Sequence, residues 1–471
     1  MINITKGVSV SVKKEFQFEF KTRFNTSQKM DYRKEILFDG DFYDVTDFIS
    51  KHPGGTVIEY YTEKGEDSTL VIQQLHKRSK ETVKVMMSAL KRRPASDSEI
   101  GLNTAVLQRN RNLTEDFTKL HLELEREGYF EPSSVQAILR CMETLFLFGI
   151  GYFAFKSENA TFTFIGILLI SVGSTRCGYL MHELGHYSYT GNCKIDKILH
   201  SIFNGVGVGL SATRWRRTHN RHHAMPQRLN HDVDLDTMPI LAFNAKVVKN
   251  SKDGKGFMVQ NQAFLFLIDL FLVGFVWKFF LDPKFVLKRK VYLDMGCMFG
   301  HYCILYHMGF WHWLFTTWFT SLFLLGHFYL SHTFLPVTTE HKHFVEYSFL
   351  HTADVEHAPW CDWIMGYLNY QIEHHLFPTI PNFRLPYIKH RVKALAEKHN
   401  LPYIQHSYLE AWRKMFTNLY QYSFAAFYLQ DSLILIIRNL LPSKYDDSNL
   451  MLEMFCFLKR AVVILHLMSS H

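Results

Sequence analysis

No two of the seven cysteines stand as Cys-x-x-Cys, and they are scattered over 471 residues. This excludes a zinc ribbon and a dense disulfide framework and suits a reducing compartment. Charge is sparse too: Asp, Glu, Lys and Arg make up 20% of the chain, too little for a disordered polyelectrolyte. The net charge of +8 is not interleaved as a nucleic-acid reader requires, so the expected partner is an anionic membrane surface or an acidic protein and not nucleic acid. Residues 1–30 lack an apolar core of signal-peptide length, which puts the N-terminus on the cytosolic side. Aromatic residues are plentiful, at 15% with 41 Phe and 23 Tyr, and so are histidines, at 26.

Position separates a polar part from an apolar one. Residues 31–90 read as a small soluble unit with short mixed runs and a glycine pair, Gly54-Gly55. Residues 91–113 are polar and basic, with Pro94, Ser96, Ser98 and Gly101, and read as a linker before an amphipathic helix at 115–127. Crossing hydrocarbon takes roughly 20 apolar residues. Residues 135–155, with Arg140 and Glu143 spaced to pair on one helix, and residues 160–181 form a first hairpin. Residues 291–337, whose one charge is Asp294, form a second that turns near Phe310. Residues 261–281 are also apolar, but they hold Asp269 and Lys278 and lead straight into Lys284, Lys288, Arg289 and Lys290. Basic loops stay cytoplasmic, so this stretch is expected to be interfacial or re-entrant. Four spans then leave both termini and residues 182–260 cytosolic.

In the soluble unit, His52-Pro53-Gly54-Gly55 precedes a second histidine, His76. Alone, the first string is also a good turn, since Pro fixes φ and Gly permits φ > 0. With His76, and with Asp67-Ser68-Thr69 where Asp-Ala-Thr is usual, residues 31–90 resemble the cytochrome b5 family. The resemblance implies haem b with His52 and His76 as its axial ligands. Two protein ligands close the iron to oxygen, so such a haem only passes electrons. Its implied source of electrons is NADH-cytochrome b5 reductase.

Three histidine clusters fall on the cytosolic side. In His182-Glu183-Leu184-Gly185-His186 the imidazoles are at i and i+4, on one helix face. The string also satisfies the zinc protease signature His-Glu-x-x-His. His219-Asn220-Arg221-His222-His223 and Gln371-Ile372-Glu373-His374-His375 supply five more. A catalytic zinc uses three protein ligands and a water, so seven imidazoles suit two ions, and a protease would leave the later clusters idle. All-nitrogen ligation beside a one-electron donor favours iron.

With these boxes the chain, from about Asp31 to Trp412, resembles the front-end fatty acyl desaturases, membrane di-iron enzymes with a fused N-terminal cytochrome b5 domain. The resemblance implies His182, His186, His219, His222, His223, His374 and His375 as catalytic iron ligands. It adds His332 in Ser331-His332-Thr333, with His327 close by, and Gln371 at the head of the third box. His301, His307 and His312 read as interhelical polar groups. His231-Asp232-Val233-Asp234 reads either as carboxylates that orient a ligand imidazole or as a solvated acidic loop. Arg216 and Arg217 read either as a clamp for an anionic headgroup or as membrane-surface charges.

The expected fold is an α+β cytochrome b5-like haem domain (31–90) after a tail (1–30), then a linker and pre-membrane helix (91–130). An all-α membrane domain (131–412) follows, with four transmembrane helices and a cytosolic histidine-rich di-iron cap. A divergent segment (413–471), apolar at 433–441 and 451–467, departs from the family. No side-chain base reaches the proton of an unactivated methylene, so the chemistry needs a metal-bound oxidant. The implied reaction uses O2 and two electrons to set a cis double bond between an existing one and the carboxyl end of a polyunsaturated acyl-CoA or phospholipid acyl chain. The expected setting is the endoplasmic reticulum membrane. A sphingolipid long-chain-base desaturase or an acyl hydroxylase would use the same metals.

Overall fold

A computed structural model describes residues 33–235, 237–244, 246–247 and 256–423. The tail at 1–30 and the apolar runs at 433–441 and 451–467 lie outside the described residues.

Asp39 and Gly40, both at positive φ (51° and 80°), turn Glu35–Phe38 (β1) back onto Asp41–Asp44 (β2) in register Phe38↔Asp41. An Asp-Gly pair suits such a two-residue hairpin. Val57–Tyr60 (α1), Thr69–Leu75 (α2) and Lys80–Ser88 (α3) complete this unit; His52 follows a short 3-10 turn, and His76 ends α2. Arg92–Pro94 (β3) then pairs with β2, Tyr43 opposite Arg92.

The stretch read as a linker is therefore structured. After β3 come Asp97–Ile100 (α4), closed by a Ser96/Glu99 capping box, and Thr104–Arg126 (α5), capped by Asn103. Leu107, Leu113, Phe117, Leu120 and Leu124 line the buried face of α5. Pro94 and Gly101 punctuate the segment, but this apolar stripe at three- and four-residue spacing decides its state.

Ser134–Phe155 (α6) and Ala160–Gly185 (α7) form the first hairpin. Arg140 does not pair with Glu143. It donates to Glu183 on α7, while Arg176 of α7 donates to Glu143 at 2.9 Å. Each of these charges faces the neighbouring helix, and a buried charge takes the opposite charge it meets there.

Cys193–Ile202 (α8) and Ala212–Ala224 (α9) follow. Phe257–Val276 (α10) continues through a π turn, Trp277–Leu281, into Asp282–Arg289 (α11). Tyr292–Met308 (α12) and Phe310–Phe328 (α13) meet at Gly309, where the second hairpin was expected to turn. By length and composition, Ser134–Phe155, Ala160–Gly185 and Phe257–Arg289 are long and apolar enough to cross a membrane. The third of these contains the stretch expected to be interfacial, and neither α12 nor α13, expected as the second pair of spans, is among them. Exposed Ile138, Phe146, Phe153, Phe264, Ile268 and Phe299 give the helices an apolar outer surface of the kind that meets lipid.

Phe344–His351 (α14), Pro359–Ile364 (α15), Gln371–Leu376 (α16), Leu385–Lys398 (α17) and Tyr408–Gln421 (α18) complete the described chain. One apolar core runs from Ile36, Val45 and Leu70 through Phe117 and Leu124 to Phe344, Phe377 and Ile388. The N-terminal unit and the helical unit thus share a core. At about 1.5–3 kcal/mol for each large side chain buried, that contact is substantial. A second core joins α10 to α18 through Phe266, Leu270, Met415 and Leu419.

Candidate metal centre

The C-terminal end of α7 carries His182 and His186, α9 carries His219, His222 and His223, and α16 carries His374 and His375. His332 follows a 3-10 turn at the end of α13. Neighbours on a helix point roughly 100° apart, so His222 and His223 part company, as do His374 and His375. The result is two groups. His182, His186, His219, His223 and His374 place one ligand atom each within 4.8 Å of one another, and His222, His332 and His375 do the same. The groups adjoin, the rings of His223 and His375 stacking at 4.2 Å.

In the five-histidine group, the Nε2 atoms of His182 and His219, of His219 and His223, and of His223 and His374 stand 3.0, 3.0 and 3.1 Å apart. Two nitrogens each about 2.1 Å from one ion make such contacts at a right angle. His186 Nε2 and both ring nitrogens of His375 are buried without a hydrogen-bond partner. Burial holds His219, His223, His374 and His375 well below the usual imidazole pKa, leaving lone pairs free for a cation. This donor set fits transition-metal ions, iron included.

Supporting contacts fix the rings. His222 Nδ1 meets Asp232 Oδ2 at 2.9 Å, and His332 Nδ1 meets the His351 carbonyl at 3.0 Å, which turns both Nε2 atoms to the site. Burial opposes charge on His222, but Asp232 and Asp234 carry its pKa up to about 9. Gln371, buried at the start of α16, lies close enough to His332 to favour its charged form. Trp215 stacks on His219 at 4.2 Å, and Gly185 makes room for it: a Cβ there would stand 2.3 Å from the indole.

The surrounding residues take these places. Glu183 is no free base, since Arg140 and the Asn382 amide hold its carboxylate. Asp232 is buried and holds the His222 imidazole, and does not lie in a solvated loop. Arg217 packs against Gly55, and Arg216 Nη1 lies 3.3 Å from His200 Nδ1, so each arginine has a protein neighbour. His327 points elsewhere, its Nε2 2.9 Å from the Tyr408 hydroxyl. His301 bridges the Val206 carbonyl and Lys278, an interhelical role as expected. Sequence reasoning missed a carboxyl pair behind the third box: the Tyr403 hydroxyl donates to Asp354 Oδ2 at 2.7 Å and lies 2.6 Å from Glu373 Oε1, next to His374. Asp354 and Tyr403 stand in no motif, and only Glu373 carried a signal.

In the N-terminal unit the rings of His52 and His76 face each other at 6.2 Å. Their Nδ1 atoms lie 3.0 and 3.2 Å from the carbonyls of Gly55 and Ile72, so both Nε2 atoms are left free. A cavity of about 530 Å³ beside His76 is lined by Phe38, Tyr43, Ile72, Val83 and Met87.

The family model described as fatty acid desaturase matches residues 159–407, which include all three boxes and His332. The chain is 37% identical over 408 residues to an acyl-lipid (8-3)-desaturase of a Thraustochytrium species, covering 83% of this chain and 92% of the relative. It is 38% identical over 407 residues to an acyl-lipid (8-3)-desaturase of Rebecca salina, covering 84% and 92%. A delta(8)-fatty-acid desaturase of Euglena gracilis is 29% identical, over 77% of this chain and 88% of its own. With apolar helices, two histidine groups and these relatives, the chain belongs to the fatty acid desaturase family, among its front-end members, and is a membrane oxidoreductase that desaturates fatty acyl chains.

Proposed function

We propose that one iron is held by His182, His186, His219, His223 and His374 and a second by His222, His332 and His375, with Gln371 acting through His332. The observation that carries this is the convergence of eight imidazoles into two adjoining groups. Bound irons and O2 supply the oxidant that an unactivated methylene requires. One O2, two electrons, two protons and the two hydrogens taken from adjacent carbons leave as two waters, with a cis double bond in the chain. The protein's own part is to aim the imidazoles, through Asp232 and the His351 carbonyl, and to bury them from water.

His52 and His76 would hold a haem b, which would pass electrons, in a cytochrome b5-like domain, here residues 31–94 because β3 belongs to its sheet. Their free Nε2 atoms support this reading, and NADH-cytochrome b5 reductase is the proposed electron donor. The catalytic domain is assigned to residues 131–423 and not 131–412, because α18 packs Met415 and Leu419 against α10; α5 precedes it.

Four spans are proposed, α6, α7, α12 and α13, in the endoplasmic reticulum membrane with both termini cytosolic. Phe257–Arg289 is interfacial or re-entrant in this reading. Both its ends meet elements assigned to the cytosolic face: Gln262 the carbonyls of Ala242 and Leu419, and Asp282 the Arg214 guanidinium.

For substrate, the reading follows two relatives above 30% identity: a lipid-bound polyunsaturated acyl chain, with the new bond three carbons nearer the carboxyl end than a bond at carbon 8. Expression in yeast fed an acid whose first double bond is at carbon 8, with product bonds located by mass spectrometry, tests it. A new bond at that offset in the phospholipid fraction is expected. A hydroxylated product, or a new bond on the methyl side, would overturn the reading.

A further inference from the structure

The loop that orients His222 is also the surface on which the N-terminal unit sits. Arg228, buried, directs Nη2 to Glu63 Oε2 at 2.7 Å and Nη1 to Glu66, both in the N-terminal unit. His231 Nε2 lies 3.1 Å from Glu63 Oε1, and His341 also reaches Glu66. The Tyr61 hydroxyl donates to the Ala224 carbonyl at 3.0 Å, and Arg221 donates to the Tyr60 hydroxyl. At the start of this face, Arg217 presses on Gly55 of the His52 loop, where a Cβ would come within 2.6 Å of its guanidinium.

The residue before Arg228 faces the other way. The Gln227 amide donates to Asp232 Oδ2 at 2.7 Å, the same oxygen that meets His222. Gln227 Nε2 donates to the His332 carbonyl at 2.7 Å. One peptide bond therefore joins the grip on the N-terminal unit to the supports of two of the three ligands in the smaller group.

We infer that Arg228 is a positioning residue: by gripping Glu63 and Glu66 it holds the N-terminal unit in one docked pose and sets the Gln227–Asp232 turn that aims His222. The two redox sites are then registered to each other within the chain. Each of the two electrons the reaction needs, released as haem iron goes from ferrous to ferric, passes to the iron pair from that pose and not from a diffusive encounter. The inference rests on the assignment of His52 and His76 as haem ligands.

The test uses the full-length enzyme carrying Tyr60→Cys and His231→Cys, joined by a short bis-maleimide, with and without Arg228→Gln. Arg228→Gln is expected to lower cross-linking at least about fivefold, because one buried partner of an ion pair is lost. Arg228→Lys, which keeps the charge without the two-armed grip, falls between. Glu63→Gln, at the exposed side of the contact, gives a milder loss should Arg228→Gln fail to fold. In the enzyme without the cysteines, reduced haem mixed with O2 and substrate is followed by absorbance. Arg228→Gln should reoxidise about tenfold more slowly with an unchanged haem spectrum. Cross-linking that is unaffected by all three substitutions, or reoxidation that keeps its rate while cross-linking is lost, would overturn the inference. Absence of a haem spectrum in the parent would instead remove the haem assignment, and the cross-link would still decide whether Arg228 fixes the pose.

Discussion

His222 Nδ1 and Asp232 Oδ2 stand 2.9 Å apart, and this contact fixes which nitrogen of His222 faces the smaller histidine group. Asp232→Asn can keep an oxygen for His222 and the Gln227 amide, which share Oδ2, but gives up the Oδ1 acceptor of the Asp234 amide and loses the charge that strengthens the imidazole as a ligand. Removing such a support costs about 10–100-fold in metal affinity. Chelator titration of the purified protein should show iron leaving Asp232→Asn at correspondingly lower chelator concentration; retention equal to the parent would make Asp232 a mere loop residue.

Single replacement of His182, His222 or His375 by Ala should abolish desaturation, since each removes a nitrogen that no other side chain is placed to supply. Product formation by microsomes at equal expression checks this. Full activity in any one variant would remove that residue from the site.

The buried Arg140–Glu183 pair should behave as structure. Glu183→Ala leaves a guanidinium unpaired inside the protein, at a cost of about 3–5 kcal/mol. Heating followed by size-exclusion chromatography should show early loss of the folded peak, with part of it regained when Arg140→Gln accompanies Glu183→Gln. A fully stable Glu183→Ala protein with no activity would give Glu183 a chemical role instead.

Glu125 on α5 holds Lys77 of the N-terminal unit at 2.8 Å. The Lys77 hydrogen bond lowers the pKa of its carboxyl, so the contact adds stability above the ordinary glutamate range and loses it as pH falls through the lowered value. The half-exposed pair is worth about 1 kcal/mol or less. Glu125→Gln should destabilise slightly at neutral pH and leave stability less dependent on pH below about 5, as pH-dependent thermal unfolding would record.

The C-terminal side of the catalytic unit can be mapped by truncation. Met415 and Leu419 are fully buried against α10, and the Leu419 carbonyl accepts from Gln262. Ending the chain after Ser423 should preserve folded, active protein, while ending it before Met415 should lose folded protein, as expression and size-exclusion profiles would reveal.

The boxes were legible because imidazoles at helical spacing share a face. The five-and-three division was legible in principle as well: His219 and His223 stand four apart, whereas His222 points roughly 100° from His223. Arg140–Glu183 and Arg176–Glu143 were not, because pairing along one helix and pairing across two look alike until the helices are placed. Asp354, Tyr403 and Arg228 were hidden for a related reason, since each acts on residues distant in the sequence. The α5 stripe was readable but was outweighed by Pro94 and Gly101.

Counting metal is the most direct test of the central claim that the two histidine groups each hold one iron. Elemental analysis of the purified full-length protein should give about two irons per chain and no zinc, with about one left in His222→Ala, where two imidazoles of the smaller group remain, and two still bound in His219→Ala, where four of the larger group remain. A parent protein with one ion per chain, or zinc in place of iron, would contradict it.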